Sequence, residues 1–487
     1  MILVISYIDL VNKKDVFWRL FKWLGVELEY KLFEMLERQQ MGIIHLLHTN
    51  DIHSHFENWP RISRYLLEKQ AEYDESLTFD IGDAIDRLHP LTEATLGTSN
   101  VMLMNRVHYD GVTIGNNEGL VFSHRAMNHL YDDANFDVLL ANLKELPNST
   151  QPQWAKNYKI IVANDGTKIG VIGLTAPYQL TYPALGWQPI AVDKTLEKYL
   201  PILRSQVDVI LVLSHLGLPT DERIAETYDV DVIMGAHTHH LLPQGKMINK
   251  TLLAAAGRYG ENIGDIKLTI KDHKIVDKSA TTTPIYMLSE QDDDYKQIRS
   301  WVTEGKALLE RQYIGTLPRE ITVDEQVYDS LRALKQYYGV PAAMISTGMF
   351  SESLPKGKLS RYELLESMPH SINPMLLTLS GHKIISLLNS IEDQITYLSD
   401  YPMKGSGFRG KIFGYMRFDG IDRQKDGQIL YNGKIIEENK LYKIATLDHY
   451  KWIPFFPDIA QAPVKIELNL ILRELMANYY TNKYKDN

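Results

Sequence analysis

Five clusters of metal-binding side-chain types punctuate the first half of the sequence. Asp51 and His53 lie in His48-Thr49-Asn50-Asp51-Ile52-His53, Asp83 in Asp80-Ile81-Gly82-Asp83, and Asn116 in Gly115-Asn116-Asn117-Glu118. His215 lies in Ser214-His215-Leu216-Gly217, and His237 and His239 lie in Gly235-Ala236-His237-Thr238-His239-His240. Carboxylate, imidazole and carboxamide donors suit zinc, manganese, iron or magnesium. The chemistry open to such a set is metal-assisted: bound cations bring positive charge to a phosphate ester and acidify water. Taken singly, each cluster has a plainer reading. A Gly-Asp or Gly-Asn pair is a tight turn, an Asp after a strand caps a helix, and a lone His is an ordinary core or surface residue. Recurrence in order after strand-like runs favours one shared site.

The elements that must position these residues are visible as apolar runs at 43–47, 77–81, 111–114, 207–213 and 230–234. They are mostly rich in Val, Ile and Leu and read as buried strands. Helix-like segments at 60–73, 98–108 and 123–131 lie between some of them, an alternation that predicts an α/β layered domain. In open α/β sheets, ligands bind outside the carboxyl ends of the strands, which is where the clusters begin. Asp51 and His53 are two residues apart, as are His237 and His239, and in extended backbone such pairs project to one side. Gly82, Gly115 and Gly235 leave room for a metal or substrate and permit unusual turns. Further strands are expected at 168–174, 251–256 and 262–270. Residues 290–313 read as a charged helical linker, and 314–487 as a second unit with apolar runs at 342–346, 375–379 and 441–446. The expected division is thus 1–40, 41–289, 290–313 and 314–487.

Composition narrows the function classes. With 44% hydrophobic and 23% charged residues, the chain reads as a globular protein of more than one domain. A net charge of −9 argues against a nucleic-acid partner, because counterion release needs a basic surface. It leaves a small phosphoester substrate open, since bound metals supply the local charge. The absence of cysteine removes disulfides, thiolate ligands and cysteine nucleophiles. No apolar run reaches the ~18 residues of a membrane span. Residues 1–8 are apolar but lack the preceding basic residues and the cleavage site of a secretory signal, so a cytoplasmic location is expected. Residues 16–36 carry apolar residues at helical spacing. Two readings of 1–40 stand: an appended amphipathic helix, or an extension preceding a native start at Met41.

The ordered motifs D-x-H, G-D, G-N-x-E, a strand ending in His, and G-x-H-x-H resemble the calcineurin-like metallophosphoesterase superfamily. The segments HTNDIHSHF, FDIGD, TIGNNE, LSHLG and MGAHTHH are similar to its branch of bacterial 5′-nucleotidases, 2′,3′-cyclic phosphodiesterases and UDP-sugar hydrolases. TGMF, MPHSINPMLLTLSG and YKIATLDHY are similar to the C-terminal domain of that branch, so the resemblance spans 42–470. It implies a layered β-sandwich flanked by helices, joined by a helical linker to a smaller α+β domain. It also implies two divalent metal ions (manganese, zinc, iron or magnesium). Asp51, His53 and His239 would hold the first, Asn116, His215 and His237 the second, with Asp83 bridging. The implied activity is hydrolysis of phosphate esters of nucleotides or related small molecules by in-line attack of an activated water, with Asp83 and Asn117 at the reacting centre.

Two departures stand out. The family usually has His at position 117 and an Asp three residues later; here the residues are Asn117 and Leu120. Asn117 can donate a hydrogen bond but cannot deliver a proton. A proton must then come from another His, such as His124 or His370, or the leaving group must need none, or turnover is slow. The second unit lacks the family's Arg after a glycine pair and its late glycine run. Arg409, His370 and Tyr450 are the candidate substrate residues that remain. Rival readings are an impaired nucleotide-binding relative and a hydrolase for another ester class.

Overall fold

The computed structural model describes residues 41–403 and 407–484, so both readings of residues 1–40 lie outside the described residues. The first apolar run becomes strand β1 (Gly42–Thr49), the second β2 (Ser76–Asp80) and the third the short β3 (Gly111–Val112). The last two become β4 (Val209–His215) and β5 (Val232–Gly235). The five strands do not share one sheet. β1, β2 and β3 are neighbours in a seven-stranded sheet, whereas β4 and β5 are neighbours in a six-stranded one. Pairing among them is parallel: Thr49 is level with Asp80, Asp80 with Val112, and Ser214 with Gly235. Parallel register brings the carboxyl ends to a common edge of each sheet, where the polar clusters start.

Alternate residues of a strand serve different layers. Leu46 of β1 and Phe79 of β2 share a core with Leu211 and Leu213 of β4 and Val232 of β5, so the two sheets pack face to face. The intervening Ile210 and Val212 pack with Leu196, Leu200 and Ile224 from helices Val192–Arg204 and Leu218–Thr227. On the opposite side, Leu47 and Val112 pack with Ile62 and Leu66 of helix Trp59–Glu72. The layers run helix, sheet, sheet, helix. Burial on both faces is why these strands read as continuous apolar runs.

Residues expected as a linker form helix α1 (Asp292–Glu310). It is no free tether. Trp301 is buried in one cluster with Phe56 and Leu91. Gly305 lies so close to the backbone before Leu91 that a Cβ there would come within 2.2 Å of the Leu91 nitrogen. Beyond α1, a separate core forms on a five-stranded sheet. Its order is Met416–Asp419, Ala343–Ser346, Leu441–Leu447, Pro374–Ser380 and Val464–Ile466. Val327 and Leu331 of helix Val323–Tyr338, with Leu472 and Met476 of the helix α2 (Leu472–Tyr484), complete that core. Among the described residues, no helix is long and apolar enough to cross a membrane.

Candidate metal centre

The ligand loops are not extended. Asp51, His53, Asp83, His237 and His239 adopt left-handed backbone, at φ of 50°, 51°, 50°, 75° and 57°. This corrects the expectation that the i and i+2 pairs share a side through extended geometry. Such conformations cost of order 1–3 kcal/mol each for residues other than glycine, so the loops must be held by something else. They are held by one another. The backbone nitrogens of Asp51, His53 and Ser54 donate to the carbonyls of Gly82, Asp83 and Ala84 at 3.0, 2.8 and 3.0 Å. The buried Glu118 carboxylate accepts from the backbone nitrogens of Asp83, Ile85 and Gly115 at 3.0, 3.1 and 2.8 Å. A Cβ on Gly115 would lie 2.0 Å from Asp83 Oδ1. That glycine is required for contact between two ligand loops.

The side chains converge. His53 Nε2 lies 3.3 Å from His239 Nε2, 3.8 Å from Asp51 Oδ1 and 3.7 Å from Asp83 Oδ2. His239 Nε2 is 3.4 Å from Asp51 Oδ1. From the other sheet, His215 Nε2 is 3.5 Å from Asp83 Oδ2, while its Nδ1 lies 2.7 Å from the Ile81 carbonyl. That carbonyl accepts only, so it fixes the proton on Nδ1 and aims the Nε2 lone pair inward in the neutral ring. Asp83 Oδ2 thus stands between imidazoles of the two sheets. His237 flanks the group, with its ring 5.2 Å from that of His215 and its backbone nitrogen 3.1 and 3.2 Å from the Asp51 oxygens. Ligand atoms of Asp51, His53 and His239 fall within 4.8 Å of one another, as do those of Asp51, Asp83 and His215. Asn116 Oδ1 and His215 Nε2 are buried without a hydrogen-bond partner. An unpaired buried polar atom costs about 1–3 kcal/mol. Orphaned lone pairs among carboxylates and imidazoles are a fit for divalent cations.

Electrostatics agree with that fit. Burial alone would raise the Asp83 carboxyl, but the charge of His215, 3.5 Å away, with His53 alongside, holds it well below the usual range. Burial would lower His215, yet Asp83 outweighs it and raises the imidazole. Burial and the neighbouring His215 lower His237. Burial, with the Asp83 charge, pushes Glu118 up to about 7. Protons here balance the carboxylates in the way a bound cation does, which is why metal binding at such sites releases protons.

The remaining expected residues are placed differently. Asn117 is buried beside the centre, its backbone nitrogen 2.7 Å from Asp83 Oδ1 and its Nδ2 2.8 Å from His53 Nδ1. Arg409 is spent on Asp86, with Nε 2.7 Å and Nη2 2.5 Å from Asp86 Oδ2, and Nη1 donates to the Phe408 carbonyl. These contacts occupy three of its five N–H donors. His370 and Tyr450 are 1% and 0% exposed and present no face to a ligand. The Tyr450 hydroxyl is taken by the Ser346 backbone nitrogen and Oγ at 2.6 and 3.1 Å. Burial, then His449 and the nearby arginines, lower His370 to about 3, so it carries no proton to give near neutral pH. His370 therefore does not replace the missing dyad. His124 packs on Trp187, 3.4 Å from Glu145. Three neighbours of the centre escaped the sequence reading: Asp86, Tyr178 with its ring 6.3 Å from His237, and Tyr259 with its ring 5.7 Å from His53. Tyr178 follows strand Lys168–Thr175, which pairs with β4, so the strand-end rule applied to a sixth strand could have found it.

Comparison with known proteins places this geometry. Residues 44–241 match the family model described as calcineurin-like phosphoesterase. The chain is 34% identical over 459 residues to the uncharacterized metallophosphoesterase YunD of Bacillus subtilis (strain 168), covering 89% of this chain and 98% of that one. It is 24% identical over 318 residues to a 2′,3′-cyclic-nucleotide 2′-phosphodiesterase/3′-nucleotidase of Haemophilus influenzae, covering 52% of this chain and 47% of the relative. Among solved structures, the NAD nucleotidase of Haemophilus influenzae superposes with a TM-score of 0.64 at 15% identity, over 92% of this chain and 97% of that one.

Proposed function

The chain belongs to the calcineurin-like metallophosphoesterase family, and from that premise we propose that it hydrolyses nucleotide phosphoesters at a dinuclear metal centre. Asp51, His53 and His239 would hold one cation, Asn116, His215 and His237 the other, and Asp83 would bridge. The observation that carries this reading is Asp83 Oδ2, 3.7 Å from His53 Nε2 and 3.5 Å from His215 Nε2. Bound divalent cations supply Lewis acidity to the phosphoryl oxygens and lower the pKa of water. The protein's own part is positioning. Glu118 fixes the backbone of the Asp83 and Gly115 loops. The Asn117 carboxamide, 2.8 Å from His53 Nδ1, would donate to a phosphoryl oxygen as a dipole at the developing charge. Neither it nor Leu120 supplies a proton, which favours substrates whose leaving group departs as a weak base, such as the phosphate side of a phosphoanhydride. Nucleotides are favoured as substrates by the named activities of the relatives.

The test is purified chain with manganese, zinc or magnesium against nucleoside monophosphates, cyclic nucleotides, UDP-glucose and dinucleoside polyphosphates. Metal-dependent turnover, fastest on the anhydrides, is expected. Asn117 and Leu120 also favour a second reading, a nucleotide binder with impaired catalysis. Measurable nucleotide affinity in the metal-loaded protein with no turnover on any of these esters would select it.

A further inference from the structure

We infer that Asp86, anchored by Arg409 from the second unit, is the positioning residue that sets the tautomer of His53 for cation binding. The inference rests on the metal-centre reading above. His53 Nε2 faces Asp51, Asp83 and His239, so it is the nitrogen that would ligate. A ligating nitrogen offers its lone pair, which leaves the proton on Nδ1, and that proton needs an acceptor. Two groups stand beside Nδ1: the Asn117 carboxamide, with Nδ2 at 2.8 Å, and Asp86 Oδ2 at 3.6 Å.

The carboxamides exclude the first. Asn116 Oδ1 is the orphaned lone-pair atom of the second cluster, and Asn116 Nδ2 donates to Asn117 Oδ1 at 3.2 Å. Asn117 then has only its amino group left for His53, a donor facing a donor. Inverting Asn117 would offer its oxygen to His53 but turn its amino group against that of Asn116. Inverting both would put an amino group where the cation needs a lone pair. Each orientation that keeps Asn116 as a ligand therefore leaves two donors opposed at Asn117, either against His53 Nδ1–H or against the Asn116 amino group. An ionised carboxylate, which only accepts, resolves the conflict. Asp86 is buried and held on two sides, by Arg409 Nε and Nη2 at 2.7 and 2.5 Å, and by Ser54 Oγ on its backbone nitrogen at 2.8 Å. With Nδ1–H given to Asp86, the Asn117 amino group is released to donate to substrate.

Isothermal titration of the full chain with manganese(II) tests this. The unaltered chain is expected to take up two ions. Asp86→Ala combined with Arg409→Met removes both charges together and leaves no unpaired buried charge. It should weaken one of the two binding steps by about 10–100-fold, the scale for losing a ligand's hydrogen-bond partner, and spare the other. In a His53→Ala background the same two changes should add no further loss, because the effect runs through His53. A purely structural role would weaken both backgrounds alike, and that result overturns the inference. Asp86→Leu combined with Arg409→Met, which keeps the side-chain size and removes the acceptor, is the second variant should the first not fold, and the same single-step loss is expected of it. Two-ion binding at unaltered affinity in either variant overturns the inference and leaves the metal centre standing. An unaltered chain that takes up no ion overturns the metal centre and the inference with it.

Discussion

At the ends of β1 and β2, Asp51, His53 and Asp83 are buried on left-handed backbone, and beyond β3 Asn116 Oδ1 is left without a hydrogen-bond partner. Around Tyr450, aromatic rings are buried on a strand-and-helix frame, and its hydroxyl has two partners on Ser346. Both regions are buried, yet burial works in opposite senses. In the loops it raises the energy of groups that the chain alone does not satisfy. Around Tyr450 it is the source of stability. Proteins break local rules at functional sites and compensate elsewhere, and the left-handed ligand loops fit that pattern. Substitutions should therefore separate: the loops should lose binding and catalysis, the aromatic segment stability.

The largest effect is expected at Asp83. Asp83→Asn keeps size and tolerance for positive φ but halves the bridge's ligating power. Metal-dependent phosphoester hydrolysis should fall on the order of 10³-fold, the scale of losing a full transition-state contact. The unfolding midpoint measured in chelator should stay within about 2–4 °C, the shift a change of 1 kcal/mol makes in a domain of roughly this size. Retained metal-dependent turnover would remove the loops' claim to the chemistry.

A third region tests whether buried charge always means function. Between the units, Glu93 receives Arg87 Nε at 2.7 Å and Arg473 Nη2 at 3.0 Å, and Arg87 Nη2 also reaches Glu474 at 2.8 Å. Here the charges are paired. Burial would raise the Glu93 carboxyl, but Arg473 and Arg87 outweigh it and hold it at about 2, below its ordinary 4.5. A carboxyl held lower in the folded state means that the unfolded chain binds more protons as acid is added. The stabilisation is complete above about 4.5 and is lost as pH falls toward about 2. Urea midpoints should drop through that window. Glu93→Gln should flatten the drop and cost about 3–5 kcal/mol at neutral pH, because two buried guanidiniums lose their counter-charge. An unchanged acid slope in that variant would show that the pairing contributes little.

These regions also differ in how far they were legible. The ligand loops announce themselves because each ligand type follows a strand, and parallel register converts sequence order into proximity. Even so, extended backbone does not align the Asp51/His53 and His237/His239 pairs: φ is positive, and cross-loop bonds such as His53 N to the Asp83 carbonyl hold the Asp51/His53 loop. Nothing local marks Asp86 as the partner of Arg409, since their pairing joins residues 323 apart and depends on how the two units meet. His370 and Tyr450 were singled out by type alone. An aromatic ring serves a core and a base-stacking site equally well, and only burial distinguishes them.

Tyr450 gives the finest test of that distinction. Tyr450→Phe keeps the ring and removes the hydroxyl that accepts from the Ser346 nitrogen at 2.6 Å. That buried nitrogen is then left without its partner, which costs about 1–3 kcal/mol. A fall of that size in the urea-derived unfolding free energy is expected, with KM unchanged on whichever ester proves to be the substrate. The opposite pattern, a raised KM at unaltered stability, would mean that the ring reaches substrate through a rearrangement of the second unit. The contrast between a ligand-binding region and a stabilising one would then fail at the residue chosen to define it.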